Sequence, residues 1–213
     1  MQKPMWPKIA VGSDNSRCFA AVLNVLFLVG LLTGMPLLIL TDIVPYSGRY
    51  LLLLASVFLC GLLMTLSGAT WKDIGVARGA LRDTSSGIFV GLLFSVLLGA
   101  YFVSQGARGY DHPSFTFVAF YAVVSVPAQE FIYRSSLFYG LRPQLGFPAW
   151  FRVAISTALY SFMHTIYGDV SIVLATIVFG VTWGIMYERR RSLLTVCISH
   201  LIVGVAAFTM GLG

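Results

Sequence analysis

A carboxylate and a guanidinium stand four residues apart in the apolar run Ala128-Gln129-Glu130-Phe131-Ile132-Tyr133-Arg134. At that spacing Glu130 and Arg134 share one face of a helix. Charged side chains at bilayer depth are costly, so they usually turn toward the interior of a helix bundle and mark a functional site. Two more titratable side chains, His164 and His200, lie in later apolar segments. A carboxylate and two imidazoles around a water-filled pocket can deprotonate a water and stabilise an oxyanion, which is the equipment for hydrolysis. Glu plus two His is also a ligand set for catalytic zinc. The H-E-x-x-H helix pattern is absent, so zinc ranks second and no cofactor is expected. Each residue also has a structural reading: Glu130 as the ion-pair partner of Arg134, each His as a hydrogen-bonded packing residue. All three together are harder to read that way.

The elements that must position these residues are membrane helices. Of the 213 residues, 58% are hydrophobic and 10% charged, and the mean hydropathy is +0.86, far outside the range of soluble domains. At about 20 residues per span, apolar segments fall at roughly 18–41, 49–69, 86–104, 114–141, 149–167, 169–187 and 192–212. The expectation is an all-α, polytopic transmembrane bundle of about seven spans, forming one integral membrane domain over residues 1–213.

Short cytoplasmic loops are enriched in Lys and Arg. With the N-terminus cytoplasmic, the inside holds Lys3, Lys8, Arg17, Lys72, Arg78, Arg82, Arg142, Arg152, Arg189, Arg190 and Arg191, and the outside only Arg49 and Arg108. The net charge of +6 then belongs to the lipid surface, and no nucleic acid is expected as a partner. The short Tyr167-Gly168-Asp169 link requires a tight antiparallel pair of helices on either side. Trp71–Ser86 mixes apolar and basic residues and reads as an interfacial amphipathic segment, with a simple solvated loop as the alternative. Gly180 and Gly184 suit close helix approach. Cys18, Cys60 and Cys197 have no close spacing, and they read as packing residues rather than a disulfide or thiolate site. Residues 1–17 lack a small-residue cleavage site and read as a cytoplasmic tail.

At 1.5 Å of rise per residue from each cytoplasmic helix end, Glu130, His164 and His200 lie at depths of about 18, 21 and 12 Å. With ordinary tilts the three can meet in one cavity.

The order Gln129-Glu130-x-x-x-Arg134, Tyr160-x-x-x-His164 and His200-x-x-x-Gly204 resembles the three motifs of the CAAX protease and bacteriocin-processing family of intramembrane proteases: E-E-x-x-x-R, F-x-x-x-H and H-x-x-x-N, each on its own helix. Pro127 and Ala128 before the first motif, Tyr133 beside Arg134, Leu137 and Phe138 after it, and Ser192-Leu193-Leu194 before His200 also look like family sequence. The resemblance covers about residues 120–208. It implies a glutamic-type intramembrane endopeptidase in which the first glutamate of the pair and His164 activate a water. His200 and the residue four positions on stabilise the oxyanion, and Arg134 orients the acidic residue. Tyr160, Gly204 and Tyr133 fall in the oxyanion and substrate neighbourhood.

Three positions depart from the pattern, of which Tyr160 for Phe is a mild change. Gln129 stands where the family's first glutamate would be, and an amide has no useful proton affinity near neutral pH. Neighbours on a helix differ by about 100° in direction, so Glu130 cannot simply take that place. Gln129 is open to three readings: an engineered near-isosteric change, a natural residue with Glu130 acting instead, or a pseudo-protease. Gly204 in place of Asn removes an oxyanion donor, a loss that typically costs about 2.7–4 kcal/mol, and suggests a divergent subfamily. The expected substrate is a membrane-anchored protein or peptide, cut as in sorting-signal, peptide-leader or CAAX-type processing, and the expected home is a bacterial inner membrane. The alternative from another class is a non-catalytic binding, immunity or scaffold protein that uses the same cavity.

Overall fold

The computed structural model describes residues 15–76, 84–104, 113–141 and 145–211. Within hydrocarbon every backbone donor and acceptor must be satisfied inside the segment, which leaves long apolar runs no choice but helix. The helices are α1 (Asn15–Leu40), α2 (Arg49–Leu66), the single turn α3 (Trp71–Ile74), α4 (Thr84–Ser104), α5 (Phe115–Gly140), α6 (Ala149–Met163), α7 (Val170–Arg190) and α8 (Leu193–Thr209).

The seven apolar segments of the sequence each hold one of the seven longer helices. Five helices are long and apolar enough to cross a membrane, namely α1, α2, α4, α5 and α7, so the chain is an integral membrane protein. With 15 and 17 residues, α6 and α8 fall short of the roughly 20 that a straight span needs. After Met163, α6 tightens into a 3-10 turn over His164–Tyr167, and that tightening is why the apolar run is longer than the helix it forms.

The links on either side of α7 are short and capped. Gly168 takes a left-handed φ of 70°, and Asp169 accepts a 2.7 Å hydrogen bond from the Ser171 amide to start α7. Ser192 accepts one of 3.2 Å from the Thr195 amide to start α8. Such side chains replace the partners that first-turn N–H groups lack. The first part of the amphipathic stretch forms α3, closed by reciprocal bonds between Thr70 and Asp73, with Trp71 exposed. Residues 77–83 of that stretch lie outside the described residues.

Two helix pairs approach closely through small residues. On α7, a methyl at Gly180 would lie 3.0 Å from Thr157 and one at Gly184 3.0 Å from Val153, both on α6. On α4, one at Gly87 would lie 2.3 Å from the Thr195 carbonyl and one at Gly91 2.9 Å from Ile202, both on α8. In lipid, where apolar burial does not drive helices together, such contacts supply the packing energy. The apolar core gathers Leu28 and Leu32 of α1, Leu53 and Cys60 of α2, Ile132, Leu137 and Phe138 of α5, Tyr160 of α6, Trp183 of α7 and Val203 of α8. Phe58, Phe89, Val96 and Leu174 point outward, as lipid-facing residues must.

Replacing Gly184 by Leu should force α6 and α7 apart and destabilise the protein by about 1–3 kcal/mol, the usual cost of overpacking. Thermal unfolding in detergent measures it, and an unchanged midpoint would contradict the close approach.

Candidate active site

The site is built on α5, which is not a regular helix. Pro127 has no N–H to offer and its ring crowds the carbonyl four residues earlier. The turn before it widens, and the Val126 N–H bonds back five residues to the Tyr121 carbonyl, over Tyr121–Ser125. A second widened stretch, Phe131–Ser136, ends with the Leu137 N–H on the Ile132 carbonyl. Such π turns recur at functional sites because they re-aim side chains without ending the helix. Between them lies the short regular piece Val126–Glu130, which carries Gln129 and Glu130.

Glu130 is 0% exposed, and both of its oxygens are engaged. Its Oε1 accepts a 2.7 Å hydrogen bond from His200 Nδ1 on α8, and its Oε2 lies 3.2 Å from Arg134 Nε. A buried carboxylate without such partners would be prohibitively expensive. Arg134, also fully buried, donates through Nη1 to Ser156 on α6, and its guanidinium lies 5.3 Å from the centre of the Tyr160 ring. Ser156 in turn donates to the Tyr133 carbonyl at 2.8 Å. One carboxylate therefore ties α5, α6 and α8 together.

His200 is held from several sides. Its ring stacks on Trp183 of α7 with centroids 4.3 Å apart, and Trp183 is fixed by a 2.9 Å bond from its indole nitrogen to Ser199. With Nδ1 on Glu130, the free nitrogen Nε2 faces the Tyr160 hydroxyl at 3.5 Å. His164 sits at the end of α6, where the helix tightens. Its Nδ1 lies 2.8 Å from the Tyr160 carbonyl. A carbonyl only accepts, so Nδ1 carries the hydrogen, and in the neutral ring Nε2 keeps its lone pair.

Gln129 and Glu130 face opposite ways. Gln129 donates its side-chain N–H to Ser125 Oγ at 3.0 Å. It lines a cavity of about 470 Å³ together with His164, Tyr121, Tyr133, Tyr167 and Arg49. It also lines an adjoining one of about 90 Å³ that reaches Tyr160, His200 and Gly204. Glu130 lines neither. The roughly 100° step between helical neighbours places one on the cavity and the other in the protein interior.

The structure therefore brings the expected residues together and divides them. Gln129, His164, His200, Tyr133, Tyr160 and Gly204 border the cavities; Glu130 and Arg134 stand behind them. The buried Tyr133 hydroxyl has no hydrogen-bond partner among the described residues. Among the described residues no three His, Cys, Asp or Glu side chains gather as metal ligands would, since Glu130 and His200 bind each other. Sequence reasoning missed Ser156, Trp183 and Ser199, which hold Arg134 and His200 in place. It also missed Tyr121 and Arg49 on the cavity wall. Arg49, between Tyr46 and Tyr50 with its guanidinium 4.0 and 4.4 Å from their ring centres, had been counted only as a loop charge.

Residues 111–206 match the family model described as type II CAAX prenyl endopeptidase Rce1-like. The matched segment contains all three motifs, and the family is one of proteases, in line with the resemblance read from Gln129, His164 and His200. No curated protein and no solved structure matches the chain.

Arg134→Met should cost about 3–5 kcal/mol, because it strands a buried carboxylate. Adding Glu130→Gln to that variant should recover a large part of the loss. Unfolding free energies of the two single variants and the pair, measured in detergent, check this; strictly additive losses would contradict the coupling.

Proposed function

We propose that this chain, with residues 111–206 matched to a family of prenyl endopeptidases, is an intramembrane endopeptidase. It hydrolyses a peptide bond in the C-terminal or membrane-anchored segment of a protein or peptide, without a metal, in a bacterial inner membrane. The basic loops, which suit an anionic lipid surface, support that location. The observation that carries the reading is His164: its Nδ1 is committed to the Tyr160 carbonyl, and its ring borders the same cavities as Gln129 and His200.

The chemistry follows from those positions. An extended peptide lies in the larger cavity among Tyr46, Tyr50, Tyr167 and Arg49. The Gln129 side-chain carbonyl accepts a hydrogen bond from a water and holds it against the carbonyl to be attacked. His164 Nε2 takes the proton as the water oxygen bonds to the carbonyl carbon. The former carbonyl oxygen becomes an oxyanion facing His200 Nε2, whose ring Glu130 holds through Nδ1. When the tetrahedral species collapses, the C–N bond breaks and His164 returns the proton to the departing amine.

Gln129 positions the water but takes no proton, so His164 works as the sole base and turnover is slow. That same residue favours a second reading. A cavity whose family glutamate is an amide suits a binding, immunity or scaffold protein that holds a peptide without cutting it.

Cleavage of membrane-anchored peptides in proteoliposomes separates the two. Gln129→Glu should raise kcat by about 10²-fold or more, within the range general-base catalysis supplies. His164→Ala should abolish cleavage in both backgrounds, and a chelator should change nothing. Retained cleavage in the His164→Ala variant would overturn the mechanism. Binding without cleavage in every variant would establish the second reading.

A further inference from the structure

The last helix presents His200 and, one turn later on the same face, Gly204. Gly204 is not free space. A Cβ built on it would lie 2.0 Å from the Tyr121 hydroxyl oxygen, 2.6 Å from Cζ and 2.7 Å from Cε1. The phenol of α5 therefore occupies the volume that any side chain at position 204 would need. Even alanine is excluded while Tyr121 stays where it is, and the two residues form a matched pair across α5 and α8.

Tyr121 is also placed where the reaction would develop charge. It borders both cavities, alongside Gln129 and His164 in the larger and His200 in the smaller. Its ring meets His200 edge-on with centroids 6.0 Å apart. Two further contacts keep it from swinging away: it stacks on Phe117 at 6.1 Å and meets Phe208 edge-on at 5.0 Å. Only 7% of the residue is exposed. A phenol held in place by its packing is a hydrogen-bond donor, and donors fixed beforehand where an oxyanion will form account for much of the catalysis in acyl transfer.

We propose that the Tyr121 hydroxyl is an oxyanion donor of this site, acting with His200 Nε2, and that Gly204 is glycine in order to admit it. The proposal rests on the endopeptidase reading above. No bond to Tyr121 forms or breaks: its O–H hydrogen bonds the oxygen that gains charge when water adds to the peptide carbonyl, and it releases that oxygen when the C–N bond breaks.

The test is steady-state cleavage of a membrane-anchored fluorogenic peptide in proteoliposomes by the full chain carrying Gln129→Glu, with and without Tyr121→Phe. The phenylalanine keeps the ring packing and removes only the hydroxyl. A fall in kcat of about 10²-fold with KM within twofold is expected. Gly204→Ala, which displaces the phenol, should fall by a similar factor, and adding Tyr121→Phe to it should cost little more. Binding of a phosphonamidate peptide, whose tetrahedral anion imitates the oxyanion, should weaken at least tenfold in Tyr121→Phe, while binding of the uncleaved parent peptide stays unchanged. If the Gln129→Glu protein cleaves and Tyr121→Phe keeps its kcat within twofold, the donor role is overturned and the endopeptidase reading stands. If the Gln129→Glu protein cleaves nothing, both fall.

Discussion

A carboxylate with no access to water has to be neutralised where it stands, and much of this structure serves that requirement for Glu130. Arg134 answers from one turn along the same helix, and His200 from another helix. The need then spreads outward. Arg134 is itself a buried cation and uses Ser156 and the face of Tyr160 on α6. His200 is flattened against Trp183 of α7, which leans on Ser199. Through the Tyr160 carbonyl the same arrangement reaches His164. The residues that border the cavity are thus fixed by a network whose charged pair, Glu130 and Arg134, stands behind it.

That arrangement gives two adjacent residues opposite duties. Glu130 supplies the charge that orders the bundle, and Gln129 supplies a side chain that lines the cavity. The consequence is electrostatic. A glutamate at position 129 would put a second carboxylate one residue from the first, whose own partners are Arg134 and His200. An amide leaves the network neutral or singly charged. Among the described residues lining the larger cavity, Arg49 carries the one permanent charge, far along the wall from Gln129 in sequence and held between two tyrosine rings.

Much of this could be read from the residues alone. Apolar runs gave the helices, because lipid permits a single chain little else. The spacing of Glu130 and Arg134 gave their pairing, and counting rise per residue brought Glu130 close to both histidines in depth. Gly180 and Gly184 announced a close helix approach, whose partner proves to be α6. Depth, however, says nothing about direction, so the count could not tell that Glu130 would face inward and Gln129 the cavity. The widened turns left only Pro127 as a trace. Gly87 and Gly91 have the same spacing as the other glycine pair, yet their partner on α8 is distant in sequence. The Tyr121 and Gly204 pair depends on complementary shape between two helices, and neither residue is unusual by itself. The shortness of α6 comes from a local tightening at His164 that hydropathy does not register.

The two five-residue reaches in α5 make the orientation of its polar residues a matter of helical phase. Each widened turn carries one residue more than a regular helix would need over the same length. Losing a single residue from Tyr121–Ser125 would restore the ordinary repeat there and rotate Gln129 and Glu130 by about a quarter turn relative to Tyr121. The interior and cavity positions would then pass to different side chains, with no substitution at either position. In such a helix, one-residue insertions and deletions are as potent as point changes, because they alter which face of the chain is chemistry and which is scaffold.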